Sequence, residues 1–279
     1  MEGHGCVFIH LIVLALSDIS KEERTVEERK KICEIKEELQ AAEETMLPSF
    51  ISRYEGDERA GVKKLLHQAR KQLEQLEKER QRIENLKKYE RQYEHVGYVC
   101  GIDEVGRGPL AGPVVAGAVI LPKDCRILYI NDSKKLSEKK REELYDVIME
   151  QAVATGIGMA GPKRIDEINI LQATYEAMRQ AIQNLSVTPD ILLNDAVTIP
   201  KVELPQIPII KGDEKSLSIG AASIIAKVTR DRLMVEYDKI MPEYGFARNK
   251  GYGSKEHLEA IKKYGPSLIH RQSFIKSYV

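Results

Sequence analysis

The chain has 279 residues, 42% of them hydrophobic, which suffices for one large domain or for one domain with an appendage. Its 43 basic and 43 acidic residues cancel, which argues against a protein that binds nucleic acid through bulk charge but leaves room for a local basic groove. The four cysteines are too few and too dispersed for a disulfide scaffold, so we expect reduced thiols in a cytoplasmic protein.

Residues 1–20 hold the one candidate targeting segment, the apolar run CVFIHLIVLAL at residues 6–16. This run is too short to span a bilayer, His10 interrupts it, and no Lys or Arg precedes it as a signal peptide requires. We therefore predict no membrane role. Residues 1–20 stay unassigned, with disorder as one alternative.

Residues 21–95 are predicted to form a charged helical extension, because nearly half of them are charged and few are glycine or β-branched. A first helix is expected from about Glu22 to Met46, ended by Pro48, and a second helix is expected after Asp57. Two interpretations of the second helix stay open: packing through an apolar stripe in a hairpin or short coiled coil, and contact of its basic residues with a substrate backbone. The stripe consists of Val62, Leu66, Ala69, Leu73, Leu76 and Ile83, and the basic residues are Lys63, Lys64, Arg70 and Lys71.

Residues 96–279 alternate short apolar runs with amphipathic helices, which predicts an α/β domain. Its first part, YVCGIDEVGRGPLAGPVVAGAVIL at residues 98–121, predicts a strand, a tight turn and a second strand. Further strands are predicted at 127–130, 155–161, 190–195 and up to Lys211, and helices from the capping Ser137 to about Ala154, at 164–185, at 218–237 and within 249–274.

The first predicted strand ends in two adjacent acids, Asp103 and Glu104, which lie between apolar neighbours. Unpaired charge is costly in such a place unless a cation or a proton compensates it. The turn that follows contains Gly106, Arg107 and Gly108, whose glycines let another backbone approach closely while the arginine is held on a stiff pivot. The alternative interpretation is a surface acid pair beside a hairpin with a solvated arginine.

Two further acids follow later strands. Asp195 ends the apolar segment DILLND, and Asp213 follows the apolar segment IPIIKG. Ligands of open α/β sheets gather outside strand ends, so acids carried there by different strands can converge on one site. Carboxylates gathered in one crevice repel one another, and all-oxygen ligands select hard cations, so Mg²⁺ or Mn²⁺ is implied and zinc is not.

A tyrosine between two glycines is a further candidate. Tyr252 in the segment NKGYGS is expected to be exposed and rigid, which suits stacking on a sugar or a base. A tyrosine that fills a crevice between helices fits the spacing equally well.

The segments GIDEVGRGPLAGPVVAGAVIL, DSKKLS, IDEINI, KGDEKSLSIGAASIIAKVTRDR and NKGYGSKEHLEAI, with the strand end at Asp195, resemble in order and spacing the motifs of bacterial ribonuclease HII. The resemblance covers about residues 98–274. It implies a ribonuclease H-like mixed sheet flanked by helices, with a helical C-terminal region after the sheet. It also implies an endonuclease that cuts RNA-DNA hybrids and nicks duplex DNA on the 5′ side of an embedded ribonucleotide, as in ribonucleotide removal during DNA replication and repair.

The same resemblance implies roles for individual residues. Asp103, Glu104, Asp195 and Asp213 match the catalytic acids that bind two divalent ions, Mn²⁺ or Mg²⁺, and no organic cofactor is expected. The turn of Gly106, Arg107 and Gly108 matches the element that recognises the ribonucleotide 2′-hydroxyl together with Tyr252, and Lys134 falls in a turn that faces the phosphate.

The chain departs from the family pattern at three positions near the expected site. Asn194 stands where a small apolar residue is usual, Glu214 where alanine or serine is common, and Gly220 where alanine is common. Two other functions stay open: a ribonuclease HIII-like enzyme restricted to longer RNA stretches, and a non-catalytic nucleic-acid-binding module.

Overall fold

The structure, a computed structural model, describes residues 29–278. The expectation for residues 1–20 and the start of the first predicted helix lie outside this part. The chain divides between Glu77 and Lys78 into two compact units. Within residues 29–278, no helix has the length and apolar character needed to cross a membrane.

Within residues 29–77, the first unit consists of helices and the turns between them. The helices are α1 (Ile32–Ala41), α2 (Leu47–Tyr54) and the first part of α3 (Ala60–Leu86), with a 3-10 turn at Glu44–Met46. The prediction of one helix up to Met46 is wrong, because Pro48 lies in the first turn of α2, where its missing N–H group leaves no hydrogen bond unmade. The predicted second helix is confirmed as α3. The core of this unit contains Ile35, Leu39, Leu47, Phe50, Tyr54, Val62, Leu65, Leu66 and Ala69.

The second unit is built on a five-stranded mixed sheet with the order β3-β2-β1-β4-β5. Strands β1, β2 and β3 are antiparallel neighbours, whereas β4 and β5 run parallel to β1. This sheet, covered by helices, confirms the predicted fold class. The strands are β1 (Val99–Val105), β2 (Val114–Ile120), β3 (Ala154–Ala160), β4 (Ile191–Asp195) and β5 (Gln206–Ile209).

The second unit also contains the helices α4 (Lys88–Tyr93), α5 (Glu138–Gln151), α6 (Pro162–Gln183), α7 (Leu217–Ile240), α8 (Phe246–Asn249), α9 (Lys255–Tyr264) and α10 (Gln272–Ile275), with 3-10 turns at Ser133–Lys135, Gly212–Glu214 and Pro242–Tyr244. Four of these helices, α5, α6, α7 and α9, agree with predicted ones within a few residues, whereas the short helices α4, α8 and α10 were not predicted separately.

One predicted strand is absent from the second unit. Residues 127–130 form a loop without strand pairing, in which Tyr129 has a φ of 67°. Ile127 and Ile130 are nevertheless buried in the core beside helices α5 and α7. The apolar pattern of this segment therefore reflects packing of a loop, and the predicted strand is wrong.

Glycines bring the two central helices close to opposite faces of the sheet. A Cβ atom on Gly101 of β1 would lie 2.1 Å from the carbonyl carbon of Ser218 in α7. A Cβ atom on Gly158 of β3 would lie 2.0 Å from the carbonyl oxygen of Ala177 in α6. Because side chains alternate along a strand, Asp103 lies on the same face as Gly101, toward α7.

Candidate active site

The strand register brings the predicted acids to one edge of the sheet. Ile102 of β1 pairs with Asn194 of β4, so Asp103 and Asp195 come next on strands that lie about 4.8 Å apart. Asp213 lies on the 3-10 turn after β5 rather than on the strand itself. The N–H group of Gly212 in that turn donates to Oδ1 of Asp195 at 2.7 Å, so a hydrogen bond joins Asp195 to the turn that carries Asp213.

Burial and mutual repulsion raise the pKa values of three of the four predicted acids. Burial, and then the charges of Glu104 and Asp195, raise the pKa of Asp103 well above its usual value. Burial also raises the pKa of Glu104, although Arg107 acts in the opposite direction. For Asp213, burial and the charge of Asp195 again raise the pKa. Such a group retains protons unless cations neutralise it.

Lys134 is, with Arg107, a cation that the fold places beside this group. Burial acts to lower its pKa, but Asp132, Asp103 and the other acids outweigh burial, and the pKa of Lys134 is raised. Asp132 is itself 7% exposed, and its carboxylate accepts a hydrogen bond from the backbone N–H of Lys134 at 2.9 Å. The sequence pattern did not single out Asp132, although it lies within the motif DSKKLS.

A buried serine pair supports Asp103 from the α7 side. Ser223 faces Asp103, and its hydroxyl acts to lower the pKa of that carboxyl, against the effect of burial. The Ser223 hydroxyl also lies 2.9 Å from the hydroxyl of Ser133 in the turn that carries Lys134. The hydroxyl pair thus links the turn of Lys134 to the helix that faces Asp103.

The three departures from the family pattern have defined surroundings. Glu214 forms an ion pair with Lys135 at 2.9 Å, and its charge still acts to raise the pKa of the neighbouring Asp213. The buried amide of Asn194 donates to Gln206 Oε1 at 2.8 Å. A Cβ atom on Gly220 would lie 3.2 Å from the carbonyl oxygen of Asp213, so this glycine lets α7 approach the acid turn.

Two fully buried arginines lie against the turn of Gly106, Arg107 and Gly108. Arg271 donates to the carbonyl oxygens of Arg107 at 2.8 Å, Gly106 at 2.5 Å and Gly112 at 2.9 Å. Arg230 donates to Pro113 O at 2.9 Å, and a Cβ atom on Gly106 would lie 2.3 Å from the Arg230 Nε. Gly106 has a φ of 89°, so both its conformation and its neighbour require glycine.

Tyr252 lies against this turn. A Cβ atom on Gly108 would be 3.8 Å from Cε1 of the Tyr252 ring, and the N–H of Leu110 donates to Gly251 O at 2.8 Å. The tyrosine is 45% exposed, so its ring does not fill an interior crevice. Arg107 also points outward and forms an ion pair with Glu104 at 3.2 Å, which places the turn next to the acid group.

A buried histidine pair holds the backbone at Tyr252. The Ser267 N–H donates to Nδ1 of His270 at 2.9 Å, so the proton of that ring lies on Nε2. This Nε2 donates to His257 Nε2 at 2.9 Å, and the Nδ1 of His257 then donates to Tyr252 O at 2.8 Å. Both imidazoles must be neutral for this relay to persist.

Acid is therefore expected to destabilise the protein through this pair. Burial, and then the nearby His257, lower the pKa of His270 to about 4, and burial lowers the pKa of His257. Because unfolded histidine has a pKa of about 6.5, protonation favours the unfolded state, and stability is lost as the pH falls from about 6.5 toward 4. Each proton taken up on unfolding lowers the unfolding free energy by up to about 1.4 kcal/mol per pH unit.

Urea unfolding of wild type and of His270→Gln between these pH values measures this effect. The variant is expected to show a smaller slope of unfolding free energy against pH, by about one proton. Identical slopes would contradict the role of His270.

The chemistry of the donor set fits hard divalent cations. Carboxylate oxygens are the ligands that Mg²⁺ and Mn²⁺ prefer, and burial, with repulsion between the acids, raises the pKa values of Asp103, Glu104 and Asp213, a cost that such cations would relieve. Within residues 29–278, no three His, Cys, Asp or Glu side chains already form a closed metal-binding cluster. One acid, Glu104, is instead paired with Arg107.

Comparison with known proteins defines the class and then the family. The fold is similar to the crystal structure of ribonuclease H2 from Pyrococcus horikoshii, with a TM-score of 0.55 and 30% identity over 65% of this chain and 96% of that one. With the acid group at the strand ends, this defines a ribonuclease H-like nuclease. The family model of ribonuclease HII matches residues 100–277, and the model of the ribonuclease HII N-terminal domain matches residues 31–94. This chain belongs to the ribonuclease HII family.

Curated relatives agree over nearly the whole chain. Ribonuclease HII of Lachnoclostridium phytofermentans is 65% identical over 247 residues, which cover 88% of this chain and 97% of that protein. Ribonuclease HII of Clostridioides difficile is 52% identical over 250 residues, which cover 89% of this chain and 98% of that protein. These matches confirm the resemblance and the fold class inferred from the sequence. Members of this family are metal-dependent endoribonucleases.

Proposed function

We propose that the chain cuts RNA-DNA hybrids and nicks duplex DNA on the 5′ side of single embedded ribonucleotides, and that residues 96–279 form the catalytic domain with residues 21–95 as its helical extension. The proposal rests on one observation: the acid group of β1, β4 and the turn after β5 lies beside the rigid turn of Gly106, Arg107 and Gly108. Such an enzyme acts in ribonucleotide removal during DNA replication and repair, in the cytoplasm of a bacterial cell.

In this proposal Asp103, Glu104, Asp195 and Asp213 hold two divalent ions, Mn²⁺ or Mg²⁺. Bound there, such ions would activate the attacking water and stabilise the leaving 3′ oxygen. Other groups of the protein position this chemistry: Ser223 favours the charged form of Asp103, the N–H of Gly212 holds Asp195, and Lys134 provides a positive charge for the phosphate.

Specificity requires a separate element, because the acid group contacts only a phosphate. The 2′-hydroxyl distinguishes RNA from DNA at a single nucleotide. Arg271 fixes the backbone of Gly106 and Arg107 and Arg230 that of Pro113, so the polar groups of the turn can meet that hydroxyl without reorganising. The exposed ring of Tyr252, beside Gly108, is placed to stack on the neighbouring sugar.

The experiment that tests this function compares two labelled substrates. One is a DNA duplex with a single ribonucleotide, and the other contains a longer RNA run. Each is incubated with Mg²⁺, with Mn²⁺ and with a chelator. A metal-dependent nick 5′ of the lone ribonucleotide is expected. Cleavage of the longer RNA alone would instead indicate ribonuclease HIII-like specificity, and no cleavage with either metal would indicate a binding module.

The variant Tyr252→Ala tests the specificity element. Stacking of one base or sugar on an aromatic ring contributes about 1–3 kcal/mol, so cleavage at a single ribonucleotide is expected to fall by about tenfold or more. Cleavage of a long hybrid is expected to fall less, because neighbouring ribonucleotides offer alternative positions. The matched control is Tyr264→Ala, since Tyr264 is 54% exposed and is the last residue of α9. Equal losses on both substrates would count against the role of Tyr252.

A further inference from the structure

The N-terminus of helix α7 is capped by a side chain from a distant part of the sequence. Oε1 of Glu90, in α4, accepts three hydrogen bonds: from the Ser216 hydroxyl at 2.6 Å, from the Ser218 hydroxyl at 2.7 Å and from the Ser218 N–H at 2.8 Å. Both serines are fully buried. A carboxylate at this end of a 24-residue helix also complements the helix dipole.

The carboxylate of Glu90 is held by these contacts at some cost. Its second oxygen, Oε2, is buried and has no hydrogen-bond partner among residues 29–278. A buried polar atom without a partner destabilises a fold, so the three contacts of Oε1 must outweigh that cost. The Glu90 side chain is therefore part of the packed structure and is not a solvated helix side chain.

The first turn of α7 connects Glu90 to the acid group. The N–H of Ser216 donates to Gly212 O at 2.8 Å, and the N–H of Gly212 donates to Asp195 Oδ1 at 2.7 Å. On the opposite side, the backbone of Ser218 lies directly on Gly101 of β1, two residues before Asp103. The first turn of α7 thus lies between Glu90, the strand that carries Asp103 and the turn that carries Asp213.

We propose that Glu90 is a positioning residue for the nuclease site, which sets the place of Asp213 relative to Asp103 and Asp195 through the first turn of α7. The inference rests on the proposed function of these acids as metal ligands. Glu90 lies in the segment, residues 31–94, that matches the N-terminal domain of the family. The N-terminal domain therefore contributes a group that organises the catalytic acids.

The test compares full-length Glu90→Ala and Glu90→Gln with wild type, and uses Glu94→Ala as the matched control, because Glu94 is the exposed glutamate one turn further along. Two quantities are measured: the dissociation constant of Mn²⁺ by calorimetry, and the Mn²⁺ concentration that gives half-maximal cleavage of a duplex with one ribonucleotide. Glu90→Ala is expected to raise both by about tenfold, which is typical for the loss of a group that supports a metal ligand. Glu90→Gln keeps Oε1 as an acceptor and is expected to stay within about threefold of wild type.

The possible outcomes distinguish a Glu90 that positions the metal ligands from a Glu90 that only stabilises the fold. If Glu90→Ala lowers the melting temperature but binds Mn²⁺ as tightly as wild type, Glu90 only caps the helix and the inference is wrong. If Glu90→Ala does not fold, Glu90→Asp, whose arm is one methylene shorter, is measured with the same expectation and the same contradicting result. A wild-type protein that binds Mn²⁺ but cleaves no ribonucleotide substrate would overturn the proposed function, while the calorimetric comparison would still judge Glu90.

Discussion

Asp103→Asn is expected to reduce cleavage by about a thousandfold. Metal ions supply several kcal/mol of charge stabilisation in the transition state, and each 1.4 kcal/mol corresponds to about a tenfold change in rate. Asp103 is 5% exposed and is the acid whose pKa is raised by burial, by Glu104 and by Asp195 together. An amide in its place keeps the shape of the side chain but removes a negative charge from the centre of the acid group.

The same variant is expected to be more stable than wild type without metal. When the pKa of a carboxyl group is raised in the folded state, the folded protein loses stability as the pH rises above the unfolded pKa of about 3.9 and through the folded pKa. The amide cannot ionise, so it avoids this loss at neutral pH. Asp103→Asn should thus combine a higher melting temperature in chelator with very low activity.

Two measurements check this combination: cleavage of a duplex with one ribonucleotide in Mn²⁺, and thermal unfolding in chelator. Asp146→Asn is the control, because the Asp146 side chain is 77% exposed on α5 and is expected to change neither quantity. Cleavage near the wild-type rate would remove Asp103 from the catalytic group. Loss of activity together with a lower melting temperature would indicate damage to the fold instead.

The elements that the sequence predicts well are those with a local cause. Strand β1, the glycine turn and strand β2 follow from β-branched runs interrupted by glycine and proline, and α5 begins where the Ser137 hydroxyl accepts a hydrogen bond from the Lys140 N–H. Residues 127–130 mislead because an apolar loop and a short strand have the same composition. Pro48 misleads because proline is compatible with the first turn of a helix as well as with its end.

The sequence allowed the acids themselves to be predicted, but not the residues that surround and position them. Asp103, Asp195 and Asp213 each follow an apolar run, a pattern visible in one dimension. Ser223 and Glu90, in contrast, resemble ordinary helix residues, and their partners lie far away in sequence: Glu90 contacts Ser218 across 128 positions. Such contacts depend on the tertiary structure, and a single sequence carries no signal for them.

Arg271 is the clearest example of a residue whose role is hidden in the sequence. The segment SLIHRQSF has the appearance of a basic tail, in which an arginine would be solvated. In the structure Arg271 is fully buried, and burial, followed by the nearby charge of Arg230, lowers its pKa to about 9. Its guanidinium donates to the carbonyl oxygens of Gly106, Arg107 and Gly112. Burial of this cation is tolerated because these carbonyl groups match the planar fork of donors.

Arg271→Lys is therefore expected to impair cleavage although it preserves the charge. An ammonium group cannot reach three carbonyl groups at once, and each buried carbonyl left without a partner costs about 1–3 kcal/mol. We expect the unfolding free energy to fall by about 3 kcal/mol or more. Cleavage at a single ribonucleotide is expected to fall by about a hundredfold, because a turn that moves can no longer hold its polar groups at the 2′-hydroxyl.

Urea unfolding and cleavage of both substrates, at a temperature where the variant is folded, test this expectation. Arg232→Lys is the control, since the Arg232 side chain is 48% exposed and pairs with Glu142 on the surface. The decisive quantity is the ratio of single-ribonucleotide to long-hybrid cleavage, which is expected to fall in Arg271→Lys and to stay unchanged in Arg232→Lys. An unchanged ratio in Arg271→Lys, whatever the loss of stability, would mean that the guanidinium supports the fold but does not set the turn that reads the ribonucleotide.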